Sequence, residues 1–189
     1  AEKQLWLLCR GLDRAGVLPT VYCVSDRTAP YGPLIEACGV PVRVIRGSRL
    51  SRVRRLRDWL NADCIDVVHT WLFVANAYAW LANRGKARPL LTSARNCKQQ
   101  GRVLDFLNCR AFAASDAIVA NSNEVARYIE RVYRAPRERI TVIYNAVDAD
   151  RFWPATETSG EGFCVVMVGR LVPQKNPSLF VAAAAVLRR

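Results

Sequence analysis

The sequence has 189 residues, of which 51% are hydrophobic and 23% charged, and its formal net charge is +12. This composition is typical of a globular chain with a buried core, and the positive charge favours phosphorylated ligands, anionic lipid surfaces or nucleic acid as partners. The most apolar stretch, 180–187, is far shorter than the roughly 18 to 20 residues of a membrane span, and no signal peptide is visible, so we expect a cytoplasmic protein.

Helical and strand patterns alternate along most of the chain. Their predicted order is helix 1–16, strand 19–25, helix 32–39, strand 41–46, helix 49–60, strand 65–70, helix 72–85, strand 88–94, helix 103–116, strand 117–122, helix 123–133 and strand 139–145. The strands are apolar throughout, which is typical of a parallel sheet covered on both faces. The sequence therefore predicts a doubly wound, Rossmann-like α/β domain.

The first central strand is missing from this pattern. Domains of this kind normally begin with that strand, whereas this sequence begins with a helix. The usual strand order places the absent strand between 19–25 and 65–70. We therefore expect an N-terminally truncated domain in which these two strands have unpaired backbone edges, an unfavourable arrangement when they are buried.

The arginine-rich stretch from Arg43 to Arg57 contains seven arginines. A helix from Arg49 would direct an apolar stripe inward, formed by Leu50, Val53, Leu56, Trp59 and Leu60. Its outward residues would be Arg52, Arg54, Arg55 and Arg57. Two interpretations stay open, a solvated helix face or a surface around Arg49–Arg57 that meets anionic membranes, whereas nucleic acid is disfavoured because no aromatic residues interleave.

Seven cysteines are scattered without a Cys-x-x-Cys pair. This pattern predicts reduced, mostly buried thiols rather than disulfides or a zinc site, and a single histidine cannot anchor a multi-histidine metal site.

The composition changes after Asp148, where the chain becomes polar and loses its periodicity until a strand pattern resumes at 163–169. The predicted organisation is a first domain at 1–148, a linker at 149–161 and the beginning of a second domain at 162–189.

The start of this second domain has the features of an anion site. Gly169 permits close approach of a ligand, and Arg170 and Lys175 provide positive charge. Asn176 is a predicted N-cap before Pro177, and the helix start favours a bound anion. The P-loop is rejected because its second glycine and its hydroxyl residue are absent, while an ordinary strand-to-helix turn with exposed cations remains an alternative.

Five segments in order resemble GT-B glycosyltransferases of the family 4 type. They are the initial "AEKQLWLLCRGL", "DVVHTW", "AIVANSNEVARYI", "VIYNAVDADRFWP" and "VGRLVPQKNPSLFVAAAAVL". The resemblance implies two Rossmann-like domains, a nucleotide-diphosphate sugar as donor, and transfer with retention to a glycan, a lipid-linked saccharide or another hydroxyl acceptor. It also implies that Gly169, Arg170 and Lys175 bind the donor and that the two cations stabilise the leaving diphosphate, so no metal or other cofactor is expected.

The same resemblance places the acceptor on the first domain. His69 ends a strand and is expected to contact the acceptor or act as a base, with a core or helix-capping role as the alternative. Arg95 and Asn96 follow the next strand, in a segment that departs from the His-Gly often seen in the family. Ser122 is expected either to contact ligand or to cap a helix.

The paired glutamates of the family, "E-x7-E", have no counterpart, because no acidic residue follows Glu161. We therefore expect the 189-residue chain to have no transferase activity by itself. The rival interpretation is a non-catalytic module that binds anionic membranes.

Overall fold

The computed structural model describes residues 1–12, 16–85, 88–149, 151–152 and 164–187. The chain divides into two compact units, unit 1 (Ala1–Val147) and unit 2 (Asp148–Arg189). The elements are α1 (Glu2–Leu12), β1 (Val21–Cys23), α2 (Tyr31–Glu36), β2 (Val42–Val44), α3 (Arg49–Ala62), β3 (Val68–His69), α4 (Phe73–Asn83), β4 (Leu90–Ala94), α5 (Arg102–Ala113), β5 (Ala117–Ala120), α6 (Asn123–Tyr133), β6 (Ile140–Val142) and α7 (Pro177–Leu187). None of the helices within the described ranges has the length and apolar character needed to cross a membrane.

All strand pairs in unit 1 are parallel. β1 pairs with β2, and β3, β4, β5 and β6 lie side by side in that order. The predicted Rossmann-like α/β fold is therefore confirmed. The strand pairing is interrupted at the predicted place, because β1 and β3 form no strand pair among the described residues.

An aromatic cluster joins the helices that cover β4, β5 and β6. Phe73 of α4, Phe112 of α5 and Tyr133 of α6 are each at most 2% exposed. Their ring centroids are 5.1 to 6.3 Å apart, within the range of favourable aromatic contacts. Because each ring comes from a different helix, the cluster fixes all three helices against the same part of the sheet.

The arginine-rich helix α3 follows the predicted stripe only in part. Leu56 and Leu60 are buried in a second hydrophobic cluster, and Val53 and Trp59 pack against that cluster. The prediction is wrong for Leu50, which is 75% exposed. The cluster that α3 covers does not reach the first turn of the helix, so an apolar residue there has no core to enter.

The outward orientation predicted for four arginines is wrong for two of them. Arg57 donates from Nε to the carbonyl of Ala82 at 3.1 Å and from Nη2 to that of Leu81 at 2.9 Å. Arg52 donates from Nη1 to the carbonyl of Val24 at 3.1 Å. The last carbonyls of a helix have no partner within it, and the guanidinium of Arg57 satisfies two of them at the end of α4.

The strand predicted at 163–169 is also wrong. Residues 164–168 are exposed and belong to no helix or strand, and residue 163 lies outside the described residues. A β-strand is stabilised by hydrogen bonds to a neighbouring strand, and the described part of unit 2 contains none. Of the predicted linker, residues 150 and 153–161 also lie outside the described residues.

The cysteines of the chain are free, but the prediction that most are buried is wrong. Cys9 is buried, three others are half-buried, and Cys64, Cys97 and Cys164 are exposed. The exposed thiols lie outside helices and strands, where no core surrounds them.

We expect Arg57→Met to lower the free energy of unfolding by about 2 kcal/mol, because two carbonyls at the end of α4 lose a charged donor. Arg54→Met on the exposed face of the same helix is the matched control and should change it by less than about 0.5 kcal/mol. Urea denaturation monitored by circular dichroism measures both values. Equal effects of the two substitutions would show that Arg57 does not stabilise the end of α4.

Candidate functional site

The carboxyl ends of β3, β4, β5 and β6 meet at one edge of the sheet because the four strands are parallel. Ligands of open α/β sheets bind beyond this edge. His69 is the last residue of β3, Arg95 follows β4 directly, and Asn121 follows β5. These residues define the candidate site in unit 1.

His69 is held by its neighbours on two sides. Its Nε2 lies 2.9 Å from Oγ of Ser93, a fully buried residue of β4, and the tautomer decides which atom donates. Its ring lies 5.4 Å from the ring of Trp71, at an interplanar angle of 43°. The imidazole is therefore oriented at the sheet edge rather than free to rotate.

The protonation of His69 is shifted by this environment. Although the residue as a whole is exposed, its ring is packed against protein, and this loss of hydration lowers the pKa of His69 to about 4. The positive charge of Arg95 acts in the same direction. The imidazole is therefore neutral at physiological pH, with one ring nitrogen as donor and the other as acceptor.

Arg95 lies flat against Trp71 and contacts the segment after β6. Its Cζ lies 3.7 Å from the ring centroid of Trp71, a cation–π contact. Its Nη1 donates to Oδ1 of Asn145 at 3.1 Å. Burial lowers the pKa of Arg95, but a guanidinium remains charged at neutral pH.

Two asparagines at the same edge have unsatisfied acceptors. Asn121 donates from Nδ2 to the carbonyl of Arg95 at 3.4 Å. The Oδ1 atoms of Asn96 and Asn121 are buried and have no hydrogen-bond partner in the described structure. Because these two atoms have no contact with solvent, a ligand reaches them only if neighbouring side chains move, and a contact of Asn96 with the acceptor stays a prediction.

The hydroxyl of Ser122 has a structural role. Its Oγ accepts a hydrogen bond from the amide of Val125 at 3.2 Å and caps the N-terminus of α6. The capping interpretation is confirmed, and a contact of Ser122 with the acceptor stays a prediction.

The structure thus brings together His69 and Arg95 through Trp71, a residue that the sequence interpretation did not select. The sequence also does not indicate Ser93 or Asn145 as site residues. A tryptophan two positions after the strand-ending histidine was the available signal for Trp71. The partners of Ser93 and Asn145 come from distant segments, and no local pattern indicates them.

Two cavities lie outside this group of residues. One of about 370 Å³ lies at the carboxyl ends of β1 and β2, lined by 24–26, 44–47 and Arg52. A larger one of about 440 Å³ lies at the amino end of β4, where α4 and α5 end. Ligands of parallel sheets bind at the carboxyl edge, so we do not place the site in the larger cavity.

The predicted anion site lies in unit 2. Arg170 and Lys175 are exposed, and neither side chain has a hydrogen bond or ion pair among the described residues. Asn176 is confirmed as N-cap of α7, because its Oδ1 accepts from the amide of Leu179 at 3.3 Å. A Cβ at Gly169 would meet the side chain of Lys175 at 3.8 Å, an ordinary contact, so the described residues of unit 2 do not sterically require glycine there.

No group of three or more His, Cys, Asp or Glu side chains in the described ranges is placed to hold a metal ion.

A family model described as Glycosyltransferase Family 4 matches residues 1–151. Relatives with curated names support the match. A D-inositol 3-phosphate glycosyltransferase of Thermobispora bispora is 26% identical over 160 residues, which cover 74% of this chain and 37% of the relative. The enzyme of the same name from Mycolicibacterium smegmatis is 27% identical over 202 residues, covering 92% and 44%. The chain thus spans less than half the length of these relatives.

Solved structures show the same fold. A glycosyltransferase from Rickettsia africae aligns with a TM-score of 0.68 and 17% identity, covering 97% of this chain and 45% of that one. Anabaena HepE in complex with UDP-glucose aligns with a TM-score of 0.66 and 17% identity, covering 81% and 43%.

We expect the imidazole of His69 to titrate with a midpoint near 4, well below its ordinary value of about 6.5. It is the only histidine, so NMR of the ring proton gives one unambiguous signal. Arg95→Gln should raise the midpoint, because it removes a positive charge that opposes protonation, whereas Arg54→Gln should not. A midpoint near 6.5 in the unsubstituted chain would contradict the packing described for this ring.

Proposed function

The chain belongs to glycosyltransferase family 4, and we propose that it forms the acceptor side of a nucleotide-sugar-dependent transferase together with the beginning of the donor side. The observation that carries this proposal is the group formed by His69, Trp71 and Arg95 at the carboxyl edge of the parallel sheet. An oriented neutral imidazole and a fixed cation beside it suit a ligand that carries both a hydroxyl and an anionic group.

The acceptor in this proposal binds over the edge of β3 and β4. Arg95 contacts its anionic group, and the side chain of Asn96, which follows Arg95 directly, is the expected partner of one of its hydroxyls. The relatives are named as glycosyltransferases of D-inositol 3-phosphate, an acceptor that combines both features. We therefore propose a phosphorylated polyol, or a glycan or lipid-linked saccharide with an anionic group, as the acceptor class.

His69 has a limited chemical role in this arrangement. Its Nε2 is engaged by Ser93, which leaves the other ring nitrogen for an acceptor hydroxyl. With a pKa of about 4, the imidazole is a weak base at neutral pH, so it orients the hydroxyl more than it removes the proton. The proton instead passes to the leaving diphosphate as the hydroxyl attacks from the same side of the sugar, which gives retention.

The donor in this proposal is a nucleotide-diphosphate sugar bound through unit 2. Arg170 and Lys175 are exposed cations in the segment that precedes α7, and positive charge before a helix N-terminus suits two negatively charged phosphates. They stabilise the diphosphate as the glycosidic bond breaks, and Gly169 lets it approach the backbone. Two positive charges serve this purpose without a metal. The complex of HepE with UDP-glucose is the basis for including UDP-sugars among the donors.

A separate candidate function is attachment to anionic membranes through the Arg49–Arg57 region. The observation in its favour is that Arg49, Arg54 and Arg55 are exposed. Arg52 and Arg57 are turned toward backbone carbonyls, so this basic surface is smaller than the sequence indicated. Sedimentation with anionic and neutral vesicles tests it, and an Arg54→Ala, Arg55→Ala double variant should lose binding to the anionic ones.

We expect the natural protein that contains this chain to release nucleoside diphosphate from one of three donor classes, UDP-, GDP- or ADP-sugars, in the presence of acceptor. Arg170→Ala and Lys175→Ala should each lower kcat by on the order of a hundredfold, because each removes charge stabilisation of the leaving group. Arg54→Ala is the control and should leave kcat unchanged. Full activity of both site variants, or no release from any donor, would contradict the proposal.

A further inference from the structure

Each residue of the segment Ile143–Ala146, which leads out of unit 1 after β6, makes a hydrogen bond to another part of unit 1. The amide of Ile143 donates to the carbonyl of Ala120 at 2.9 Å. The hydroxyl oxygen of Tyr144 accepts from Nδ2 of Asn123 at 3.1 Å. Asn145 accepts from Arg95, and Ala146 is bound by Gln4. The partners in these four hydrogen bonds, called the four ties below, come from β5, α6, the loop after β4, and α1.

Side-chain packing contributes little to the position of this segment, because Ile143 and Tyr144 are 55% and 66% exposed. The side-chain amide of Gln4 makes two hydrogen bonds with the backbone of Ala146, called the amide pair below. Nε2 of Gln4 donates to the carbonyl of Ala146 at 2.8 Å, and Oε1 of Gln4 accepts from the amide of Ala146 at 2.7 Å. Directional hydrogen bonds, rather than a core, therefore determine where the chain leaves unit 1 at Val147.

Arg95 is the one member of these ties that is also a candidate ligand contact. A guanidinium binds a carboxylate or phosphate best through two neighbouring N–H groups. In Arg95 the Nε atom is buried and has no partner in the described structure, so an anion cannot use the edge that contains it. The other edge is formed by one N–H of Nη1 and one of Nη2, and Nη1 already donates to Oδ1 of Asn145 at 3.1 Å, so Asn145 and an anion at this edge would share one nitrogen.

We infer that Asn145 and an anionic ligand compete for the guanidinium of Arg95, so that ligand binding releases one of the four ties on the segment leaving unit 1. The inference rests on the proposed function in one respect, the contact of Arg95 with an anionic group. Because the anion and Asn145 exclude each other, removal of the Asn145 side chain strengthens binding of the anion by a factor that the strength of the Arg95–Asn145 hydrogen bond sets. The amide pair of Gln4 with Ala146 stays in place in both states.

Titration with inorganic phosphate tests this competition, with the NMR signal of His69 as reporter because its ring lies beside Trp71 and Arg95. We expect Asn145→Ala to bind phosphate about threefold to tenfold more tightly than the unsubstituted chain, since one hydrogen bond to Arg95 no longer has to be broken. Asn123→Ala is the matched control. It makes the same substitution and removes another tie on the same segment, but it leaves Arg95 bound to Asn145, so its affinity should be unchanged.

Arg95→Gln separates failure of this inference from failure of the proposed function. If phosphate binding depends on Arg95 but is equal in Asn145→Ala and the unsubstituted chain, the competition is wrong and the ligand contact stands. Equal tightening by Asn145→Ala and Asn123→Ala would also overturn it, because loosening of the segment would then be the cause. If no variant shows binding that depends on Arg95, both the ligand contact and the competition are wrong.

Discussion

Parallel pairing of β3, β4, β5 and β6 is the constraint on which the rest of unit 1 depends. It places the carboxyl end of each strand at one edge of the sheet and returns each covering helix to the opposite edge. Polar residues that are distant in sequence therefore meet after the strands end, as His69, Arg95 and Asn121 do. At the opposite edge, the same pairing gathers the unpaired carbonyls at the ends of the helices.

The strong positive charge of the chain is divided between these two edges and the solvent. Arg57 and Arg139 donate to backbone carbonyls at the ends of α4 and α5, where a cation also offsets the helix dipole. Arg95 is held against Trp71 at the carboxyl edge of the sheet, Arg54 faces solvent, and Arg55 is exposed but donates to the carbonyl of Arg46. A formal charge of +12 is therefore a poor guide to the partner, because part of it stabilises the fold.

The candidate acceptor site consists of side chains whose positions depend on one another. Ser93 orients His69, Trp71 supports both His69 and Arg95, and Asn145 occupies one nitrogen of Arg95. Such a site is ordered before a ligand arrives, which lowers the entropy lost on binding. In unit 2 the described cations have no such partners, so a diphosphate there would have to order Arg170 and Lys175 itself.

The sequence by itself determined the fold class, the order of helices and strands, the interruption between β1 and β3, and the family, because all of these depend on local periodicity and on short motifs. It also indicated the helix caps at Ser122 and Asn176, whose partners lie three residues away. It did not determine that Arg52 and Arg57 turn inward, that Leu50 is exposed, or that Trp71, Ser93 and Asn145 contact the predicted site residues His69 and Arg95. The contacts of these residues come from other strands and helices, and only the tertiary structure brings those elements within hydrogen-bonding distance. The strand predicted at 163–169 failed for the same physical reason, since an apolar segment pairs as a strand only where the fold provides a neighbouring strand.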